Sequence, residues 1–333
     1  MRLLLSFVVA LFSMQLHAQG IGHGRDVEAF IGKMVKVHGF DKARLVSLFG
    51  KVERVDEVVR LVAAPAVSKP KNWRAYRALF VNRVRVEKGV RYWDRYRNAL
   101  SRASRKYAVP PEIIIAIIGV ETLYGRHTGT FRVMDALSTL AFDYPEAPNR
   151  KSRMMYFRSE LENALVFAKR SGIDPMSLYG SYAGAIGLPQ FMPGSIMKYG
   201  IDFDGDGRVD LMHSPVDAIG SVANFLAMHG WQADEGLVFP ARIDSGKKDW
   251  HAFEGNSAAK FSLKDLESAG VFPDASVPDS LFGLVDLENG NKPTEYWLGT
   301  GNFFAITKYN RSYYYAMSVV DLSREVRKAH ASR

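Results

Sequence analysis

The feature of this 333-residue sequence that most constrains its fold is one short, strongly apolar helix. Pro110 and Pro111 suit the first turn of a helix, and all residues from Ile113 to Ile118 are apolar. Because apolar side chains then surround the helix on every side, it has to be buried. The sequence therefore predicts a helix in the interior of the protein, which ends before Gly125.

Glu121 is the carboxylate that ends this apolar run, and nothing ionisable stands between it and Glu112. Burial disfavours the charged form of a carboxyl group, so its pKa rises toward the range where it can donate a proton near neutrality. Glycoside-cleaving enzymes prepare their acid in this way. Two ordinary alternatives compete with a catalytic role: a side chain that points into solvent, or an ion pair with Arg126.

A second carboxylate is the next group to look for, because most glycoside-cleaving enzymes use a pair. None of the nearest candidates lies in a comparably apolar stretch, and each is as easily a surface charge or a helix cap: Asp135, Asp143, Glu160 and Glu162. Either the partner is distant in sequence, or the chemistry uses one carboxylate and recruits the substrate.

The first residues have the composition of a secretory signal. Arg2 supplies the positive end, Leu3 to Phe12 an apolar run, and Leu16 to Ala18 a cleavage site, so residues 1–18 are expected to be removed. The run is too short to span a membrane, and a buried N-terminal helix is the alternative. The chain has no cysteine, which excludes disulfides, thiolate metal sites and a lipid anchor on cysteine. We expect a soluble protein outside the cytoplasm.

The net charge of the chain is +9, from 44 basic and 35 acidic side chains. Such a balance draws a protein toward acidic polymers or anionic lipid surfaces, which predicts peripheral membrane association through a basic surface. Nucleic acid is not an expected partner, because an exported protein rarely meets it. A basic surface that contacts only solvent is the plain alternative.

The residues after the signal have a helical pattern. Val27, Phe30 and Met34 recur at helical spacing, and Asp41 is placed to cap the next helix. Residues 19–75 are therefore predicted to form an N-terminal helical region.

A later segment, residues 232–300, changes to short β-like runs separated by Pro, Gly, Asp and Asn. Leu237 to Phe239 and Leu281 to Leu287 are two of these runs, and together they predict a small β-rich insertion. Residues 301–333 are expected to return to the core as one strand, Phe303 to Tyr309, and one helix, Tyr315 to Val326.

Four strings of residues resemble the lytic murein transglycosylase B family, which is glycoside hydrolase family 103. In order along the chain they are Val109 to Ile114, Gly119 to Arg126, Gly184 to Pro193, and Pro215 to Asn224. The resemblance extends from Tyr76 to Tyr315, which is most of the chain after the signal. Each string alone is only suggestive, but four of them in the family's order are specific.

The resemblance implies an α+β, mainly α fold, with a lysozyme-like core at 76–231, a helical N-terminal part and a small β-rich insertion. It also implies a periplasmic enzyme that cleaves the bond between N-acetylmuramic acid and N-acetylglucosamine in peptidoglycan glycan strands. One glutamate, matching Glu121, first protonates the leaving oxygen and then acts as base on the muramyl 6-hydroxyl, which produces 1,6-anhydromuramyl ends. The sugar's N-acetyl group then does the work of a second carboxylate. Other cell-wall enzymes are candidate partners.

Further positions of the cleft carry over from the family one at a time. The resemblance places Ser181 near the acetamido group, Gln190 beside the acid, and Tyr309 with Asn310 along the cleft. Three more tyrosines match sugar-facing positions of the family: Tyr76, Tyr156 and Tyr315. This role makes physical sense, because an aromatic plane packs on the apolar face of a pyranose while the hydroxyl bonds an edge of the sugar.

The sequence also departs from the family at two places. Phe225 stands where a tyrosine is usual, which would remove one hydroxyl from the cleft. Arg150 and Arg153 replace a pair of adjacent arginines within a longer loop, Glu146 to Met155, and either can meet a carboxylate of the substrate's peptide or lactyl group.

Residues 202–217 contain the start of a calcium-binding loop of the EF-hand type. Carboxylates stand at the first, third, fifth and ninth positions of this loop, with the required turn glycine, Gly207, at the sixth: Asp202, Asp204, Asp206 and Asp210. Arg208 would contribute its backbone carbonyl.

The twelfth position, where a glutamate should close the calcium shell, is His213. A hard cation does not favour an imidazole ligand. The family resemblance points to a longer loop that a later acid closes, and Asp217 is the candidate. We expect structural Ca²⁺ and no cofactor for catalysis, while an acidic turn that binds nothing well is the alternative.

The sequence leaves three candidate functions for the protein. The leading one is a lytic transglycosylase, and the second is a hydrolytic muramidase in which water attacks the same bond. The third is a catalytically silent, calcium-dependent protein that binds the cell wall. Intact Glu121, Ser181, Gln190 and Asn310 argue against the silent protein. Phe225 and the altered arginine loop, Glu146 to Met155, are the two features that keep it open.

Overall fold

A computed structural model describes residues 24–63, 70–244, 246 and 249–333 of the chain. The predicted signal at 1–18 lies outside the described residues. The fold is mostly helical with small sheets and is lysozyme-like, which confirms the predicted fold class. The boundaries drawn between domains stay predictions.

Helices account for most of the described chain. In order, they are α1 (Arg25–His38), α2 (Lys42–Phe49), α3 (Asp56–Val62), α4 (Trp73–Phe80), α5 (Arg83–Tyr107), α6 (Pro111–Thr122), α7 (Val133–Phe142), α8 (Arg150–Ser171), α9 (Pro193–Tyr199), α10 (Pro215–Met228), α11 (Leu263–Ser268), α12 (Gly301–Thr307) and α13 (Tyr313–Ala331). None of the helices in these described ranges has the length and the apolar composition needed to cross a membrane. The side chain of Asp41 accepts a hydrogen bond from the N–H of Arg44 and so caps α2, as predicted.

The strands form two antiparallel sheets. They are β1 (Phe131–Arg132), β2 (Tyr179–Gly180), β3 (Val238–Ile243), β4 (Val271–Pro273), β5 (Gly283–Asn289) and β6 (Lys292–Gly299). The first two strands pair with each other, and the other four form one sheet in the order β4-β3-β6-β5. This larger sheet has its own small apolar core around Leu266, Phe282 and Leu298. The two predicted β-like runs overlap β3 and β5.

Helix α6 lies in the interior of the molecule, as the sequence predicted. All residues from Ile113 to Val120 are buried, and α5, α10 and α13 pack around the helix. Its neighbours come from parts of the chain that are far apart in sequence. The helix therefore acts as the centre on which the core assembles.

The contact between α5 and α6 depends on two glycines and one tyrosine. The hydroxyl of Tyr124 donates to the carbonyl of Arg85 at 3.0 Å, so the ring lies between the two helices. A Cβ added to either Gly89 or Gly119 would come within 2.5 Å of that hydroxyl oxygen. The helices can approach this closely only because both positions lack a side chain.

One prediction about the C-terminal part is wrong. The residues from Phe303 to Tyr309 do not form a strand, because α12 covers Gly301–Thr307. An apolar run of this length suits a buried strand and a buried helix equally well, and local composition does not separate them. Tertiary contacts decide: the N–H of Asn302, at the start of the helix, donates to the Glu235 carboxylate at 2.8 Å.

We predict that Gly119→Ala destabilises the protein even though alanine is the better helix former. The added methyl group meets Tyr124, and overpacking of this kind costs about 1–3 kcal/mol. Urea denaturation of the variant and of Gly32→Ala checks the prediction. Gly32 is a matched control, because it also lies within a helix but has no atom within 4 Å of an added Cβ. Equal unfolding free energies for the two variants would contradict the close approach.

Candidate active site

Glu121 stands at the C-terminal end of α6 and is held by the far end of the chain. The hydroxyl of Tyr315 donates to its Oε1 at 2.6 Å. Tyr315 belongs to the first turn of α13, where Ser312 accepts a hydrogen bond from its N–H. The alternative of an ion pair with Arg126 is wrong, because Arg126 is exposed and the partner of the carboxylate is Tyr315.

The surroundings of Glu121 shift its proton affinity. Burial raises the pKa of this carboxyl group to about 7, and the hydrogen bond from Tyr315 acts in the opposite direction by favouring the ionised form. The side chain keeps partial exposure. Near neutral pH the group therefore populates both its protonated and its ionised form, as an acid that later becomes a base requires.

Aromatic side chains surround Glu121. The rings of Tyr309 and Tyr315 stack with centroids 6.3 Å apart and an interplanar angle of 16°. Burial and the negative charge of Glu121 raise the pKa of Tyr76, so this tyrosine also lies near the carboxylate. The structure thus brings three of the predicted cleft tyrosines together.

Phe225, the departure from the family pattern, lies behind this aromatic wall. Its side chain is buried, and its ring centroid is 4.8 Å from that of Tyr309 and 5.7 Å from that of Phe191. The position therefore supports Tyr309 from inside the core. That the phenylalanine removes one hydroxyl from the cleft stays a prediction.

The backbone from Leu188 to Gln190 joins the pieces of the site. The carbonyl of Pro189 accepts a hydrogen bond from the Tyr309 hydroxyl at 2.5 Å, and the carbonyl of Leu188 accepts one from Thr122 at 2.9 Å. Gln190 has a φ of 50°, and its amide nitrogen donates to the carbonyls of Thr128 and Gly187. Among the described residues, none donates a hydrogen bond to its side-chain oxygen.

Ser181 lies in the tight glycine-rich loop that the sequence indicated. Its Oγ accepts hydrogen bonds from the N–H groups of Ala183 and Ala185, at 3.3 and 3.1 Å. These bonds orient the hydroxyl and leave its proton free to donate. Asn310 directly follows Tyr309 and is exposed.

Arg150, Arg153 and Tyr156 form a separate group at the start of α8. The Nε atoms of the two arginines donate to the backbone carbonyl and to the hydroxyl of Tyr144, at 2.7 and 3.2 Å. The guanidinium carbon of Arg153 lies 5.5 Å from the ring centroid of Tyr156, which is 41% exposed. The contacts of the described residues connect these side chains to one another and not to Glu121.

None of the four carboxylates considered from the sequence as a partner is free to assist Glu121. Asp143 accepts from Arg54 at 2.5 Å, and Glu160 accepts from the N–H of Gly194 at 2.7 Å. Asp135 accepts from the N–H of Glu53 and from Arg132, and Glu162 pairs with Lys33 and His38. Each of these side chains connects elements of the fold.

The loop at 202–217 brings carboxylates together. One oxygen each from Asp202, Asp204 and Asp217 lies within 4.8 Å of the other two, and such a group can bind a metal ion. Asp206 and Asp210 are outside this group. The Oδ1 of Asp210 accepts hydrogen bonds from the N–H groups of Met212 and His213.

Asp217 reaches this group from the first turn of α10. It is buried, and it accepts hydrogen bonds from the N–H groups of Phe203, Asp204 and Asp210. Burial raises its pKa, and these backbone hydrogen bonds act in the opposite direction. The later acid that the resemblance indicated thus lies next to the start of the loop, whereas the Nδ1 of His213 contacts Asp210 at 3.1 Å.

Thr122 belongs to the site but received no role from the sequence. The hydroxyl of Thr122 accepts from the N–H of Gly125 at 3.0 Å in addition to its bond to Leu188. Leu123, Tyr124 and Gly125 have φ values of 51°, 62° and 87°, so the chain turns sharply after Glu121. The sequence signal for this turn is Thr122 at the end of the apolar helix, with Tyr124 and Gly125 shortly after it.

Known proteins share this architecture. The family described as "Transglycosylase SLT domain" matches residues 23–324. A relative in Escherichia coli K12, membrane-bound lytic murein transglycosylase B, is 41% identical over 310 residues, which are 90% of this chain and 82% of the relative.

Two solved structures are also similar over most of their length. Catenated SltB1 from Pseudomonas aeruginosa has a TM-score of 0.85 and 40% identity, and the match covers 93% of this chain and 99% of that one. Slt35 from E. coli, solved in complex with calcium, has a TM-score of 0.81 and 39% identity, with coverages of 92% and 94%.

A lysozyme-like fold with one partly buried acid at the end of its central helix is typical of enzymes that cleave glycosidic bonds. The matches in sequence and structure narrow this class further. The chain belongs to the SLT-domain family of lytic transglycosylases.

We predict that Glu121→Gln makes the protein more stable than the wild type above pH 7, by roughly 1–3 kcal/mol. The folded pKa of about 7 lies above the ordinary value of 4.5, so the folded state retains a proton that the unfolded state has lost. Wild-type stability therefore falls as the pH rises from 4.5 to 7, and the neutral amide avoids this loss. The difference between the two proteins should change little below pH 4.5.

Thermal unfolding at pH 4 and pH 8 measures this difference. Glu325→Gln is the matched control, because Glu325 is an exposed glutamate within a helix. A pH dependence of the stability difference that is the same for both variants would contradict a raised pKa at Glu121.

Proposed function

We propose that Glu121 is the sole acid and base of a peptidoglycan lytic transglycosylase. In its protonated form it gives its proton to the oxygen that links muramyl C1 to the next N-acetylglucosamine, and the C1–O bond breaks. The resulting carboxylate then takes the proton of the muramyl 6-hydroxyl as that oxygen bonds to C1. Glu121 ends as it began, no water is consumed, and the product is a 1,6-anhydromuramyl end.

The observation that carries this proposal is that burial raises the pKa of Glu121 to about 7. The candidate partner carboxylates bind other parts of the protein: Asp135, Asp143, Glu160 and Glu162. A carboxyl group with this pKa can both donate and accept a proton near neutral pH. The missing second carboxylate favours stabilisation of the developing cation by the substrate's own acetamido group. Ser181, whose hydroxyl proton is free to donate, is the residue proposed to orient that group.

Other side chains are proposed to bind the glycan strand. Tyr76 and Tyr309 would pack against sugars beside Glu121, while the side-chain oxygen of Gln190 and the exposed amide of Asn310 would accept or donate hydrogen bonds. Tyr315 is buried, so its proposed role is to hold Glu121 and not to contact a sugar. Tyr156 is proposed to bind a more distant sugar. Arg150 and Arg153 would meet the lactyl or peptide carboxylates of that part of the strand.

We predict that the wild-type protein releases fragments with anhydromuramyl ends from purified peptidoglycan, as read by mass spectrometry. Reducing ends would instead show a hydrolytic muramidase, and an absence of soluble fragments would show a silent wall-binding protein. Glu121→Gln should lower the rate by a factor of roughly 10² to 10⁴, the usual contribution of a general acid or base. It should still bind glycan, and Glu325→Gln should keep wild-type activity. Comparable cleavage by Glu121→Gln would refute the assignment.

We also propose that the loop at 202–217 binds Ca²⁺ as a structural ion. The carboxylates of Asp202, Asp204 and Asp217 support this proposal, because three negative charges so close together repel one another until a cation binds. Two further carboxylates and one backbone carbonyl would complete the shell as the loop adjusts: Asp206, Asp210 and Arg208. The ion would brace the connection to α10 and take no part in the proton transfers.

We predict that calcium raises the melting temperature and that a chelator reverses the rise. A ligand that binds only the folded state stabilises it by about 2.7 kcal/mol at a concentration one hundred times its Kd, which corresponds to several degrees. Asp217→Asn should abolish the calcium-dependent part, and Asp279→Asn, which changes an exposed aspartate, should keep it. A melting temperature that ignores calcium in the wild type would refute the ion site.

The cellular setting remains a proposal as well. We expect the mature protein to be soluble in the periplasm after removal of residues 1–18, with peptidoglycan strands as its substrate and other cell-wall enzymes as candidate partners. The net charge of the full chain, +9, to which the signal contributes only Arg2, supports peripheral association with anionic membrane surfaces. Nucleic acid is not a proposed partner.

A further inference from the structure

Helix α5 carries most of the net positive charge of the protein. Nine basic and only two acidic side chains stand among its 25 residues, so this one helix has a net charge of +7. The net charge of the whole chain is +9. The excess of basic groups is therefore concentrated on one element, and a concentrated charge attracts anionic partners more strongly than a scattered one does.

Three of these cations form a row on the exposed side of α5, which we call the cationic stripe: Lys88, Arg91 and Arg95. They follow one another at intervals of three and four residues, the spacing that places side chains on one face of a helix. All three precede the irregular backbone at Tyr96, so the helical spacing holds across them. Arg91 and Arg95 are exposed, and Lys88 is partly exposed. The stripe thus presents positive charge to the solvent along roughly 10 Å of helix.

The two acidic side chains of α5 do not neutralise the cationic stripe. Glu87 pairs with Arg83 at 2.6 Å, and Asp94 pairs with Arg333 at 2.9 Å. Among the residues that the structure describes, no carboxylate forms an ion pair with any member of the stripe. The charge of the stripe is therefore left for a partner outside the chain.

Two apolar side chains stand at the end of the stripe, where α4 meets α5. Leu79 is 63% exposed, and Val84, one helical turn before Lys88, is 55% exposed. The connection between the two helices is fixed, because the carbonyl of Leu79 accepts hydrogen bonds from Asn82 at 3.3 Å and from Arg85 at 2.6 Å. This corner holds exposed apolar groups beside positive ones, a combination that suits the boundary between the headgroups and the acyl chains of a lipid surface.

The same corner is connected to the active site through α4. Tyr76, which lies near Glu121, packs on Phe80 with ring centroids 5.1 Å apart. Phe80 directly follows Leu79 in the chain. A protein that binds a lipid surface through this corner would therefore keep its cleft close to that surface.

We propose that the corner of α4 and α5 binds an anionic lipid surface, with the cationic stripe on the lipid phosphates and with Leu79 and Val84 inserted below the headgroups. The inference rests on the proposed location outside the cytoplasm and deepens it, because it assigns a surface to the association that the net charge suggests. A soluble acidic polymer would pair with the cations but would leave both apolar side chains in water. The exposed Leu79 and Val84 thus favour a membrane over such a polymer.

Sedimentation with lipid vesicles tests the proposal on the whole protein. We expect the wild type to bind vesicles of phosphatidylglycerol and not vesicles of phosphatidylcholine, and we expect high salt to release it, because salt screens the attraction between exposed charges. The triple variant Lys88→Gln/Arg91→Gln/Arg95→Gln should bind phosphatidylglycerol roughly a hundredfold more weakly, since each cation near such a surface increases the affinity about fivefold. Absence of wild-type binding to phosphatidylglycerol overturns the proposal.

A second triple variant separates the stripe from the overall charge. Lys36→Gln/Arg170→Gln/Lys264→Gln removes the same charge from exposed positions on α1, α8 and α11. Its affinity for phosphatidylglycerol should stay close to that of the wild type. Equal losses in the two triple variants would show attraction by net charge alone, and this result overturns the assignment to the corner.

The apolar side chains separate a membrane from an acidic polymer. Leu79→Gln/Val84→Thr should bind phosphatidylglycerol vesicles about tenfold more weakly, because less apolar surface leaves water on binding. Its binding to soluble polyglutamate should equal that of the wild type. Unchanged vesicle binding by this variant overturns the proposal, as does wild-type binding to polyglutamate that is as tight as binding to vesicles.

Cleavage of soluble glycan fragments keeps this test distinct from that of the proposed function. No residue of the stripe or of the apolar corner contacts Glu121 among the described residues, so every variant should release anhydromuramyl products at the wild-type rate. This result also shows that the variants are folded. Absence of cleavage by all of the proteins contradicts the proposed function, and the vesicle measurements then decide the lipid surface by themselves.

Discussion

A helix that is apolar on every face has no side to present to water, so α6 must be enclosed, and α5, α10 and α13 enclose it. This burial has an electrostatic consequence at its end. Raising the pKa of Glu121 from 4.5 to about 7 corresponds to roughly 3 kcal/mol against the ionised form. Each fully buried isoleucine of α6 contributes roughly 1.5–3 kcal/mol, so the helix readily tolerates an acid held in this way.

The geometry around the acid depends on connections between distant parts of the chain. Tyr315 follows Glu121 by 194 residues, yet their side chains share a hydrogen bond. Leu188 and Pro189 join the same site through their backbone carbonyls, one to α6 and the other to Tyr309. The loss of either connection would loosen the carboxylate without removing it, because the acid and its supports belong to different elements.

Sequence reasoning succeeded where the signal was local. The buried helix, the cap at Asp41 and the unusual setting of Glu121 follow from residues that are neighbours in the chain. It failed at Phe303–Tyr309, where an apolar run suits a helix and a strand equally. The packing of Phe225 behind Tyr309 has no local signature in the sequence. The family resemblance named Tyr315 as a sugar-facing residue, but only the fold reveals that its hydroxyl bonds the acid.

The sequence by itself determined that a single carboxylate ends an apolar helix, because hydrophobic periodicity and one ionisable residue are properties of a continuous segment. Tertiary structure alone decided which groups meet that carboxylate. It also decided that Asp217, and not His213, joins Asp202 and Asp204, and that Leu79 and Val84 stay exposed beside the cations of α5. Hydrogen bonds and charge interactions depend on distances of a few ångströms between residues far apart in the chain, and these distances exist only after the chain has folded.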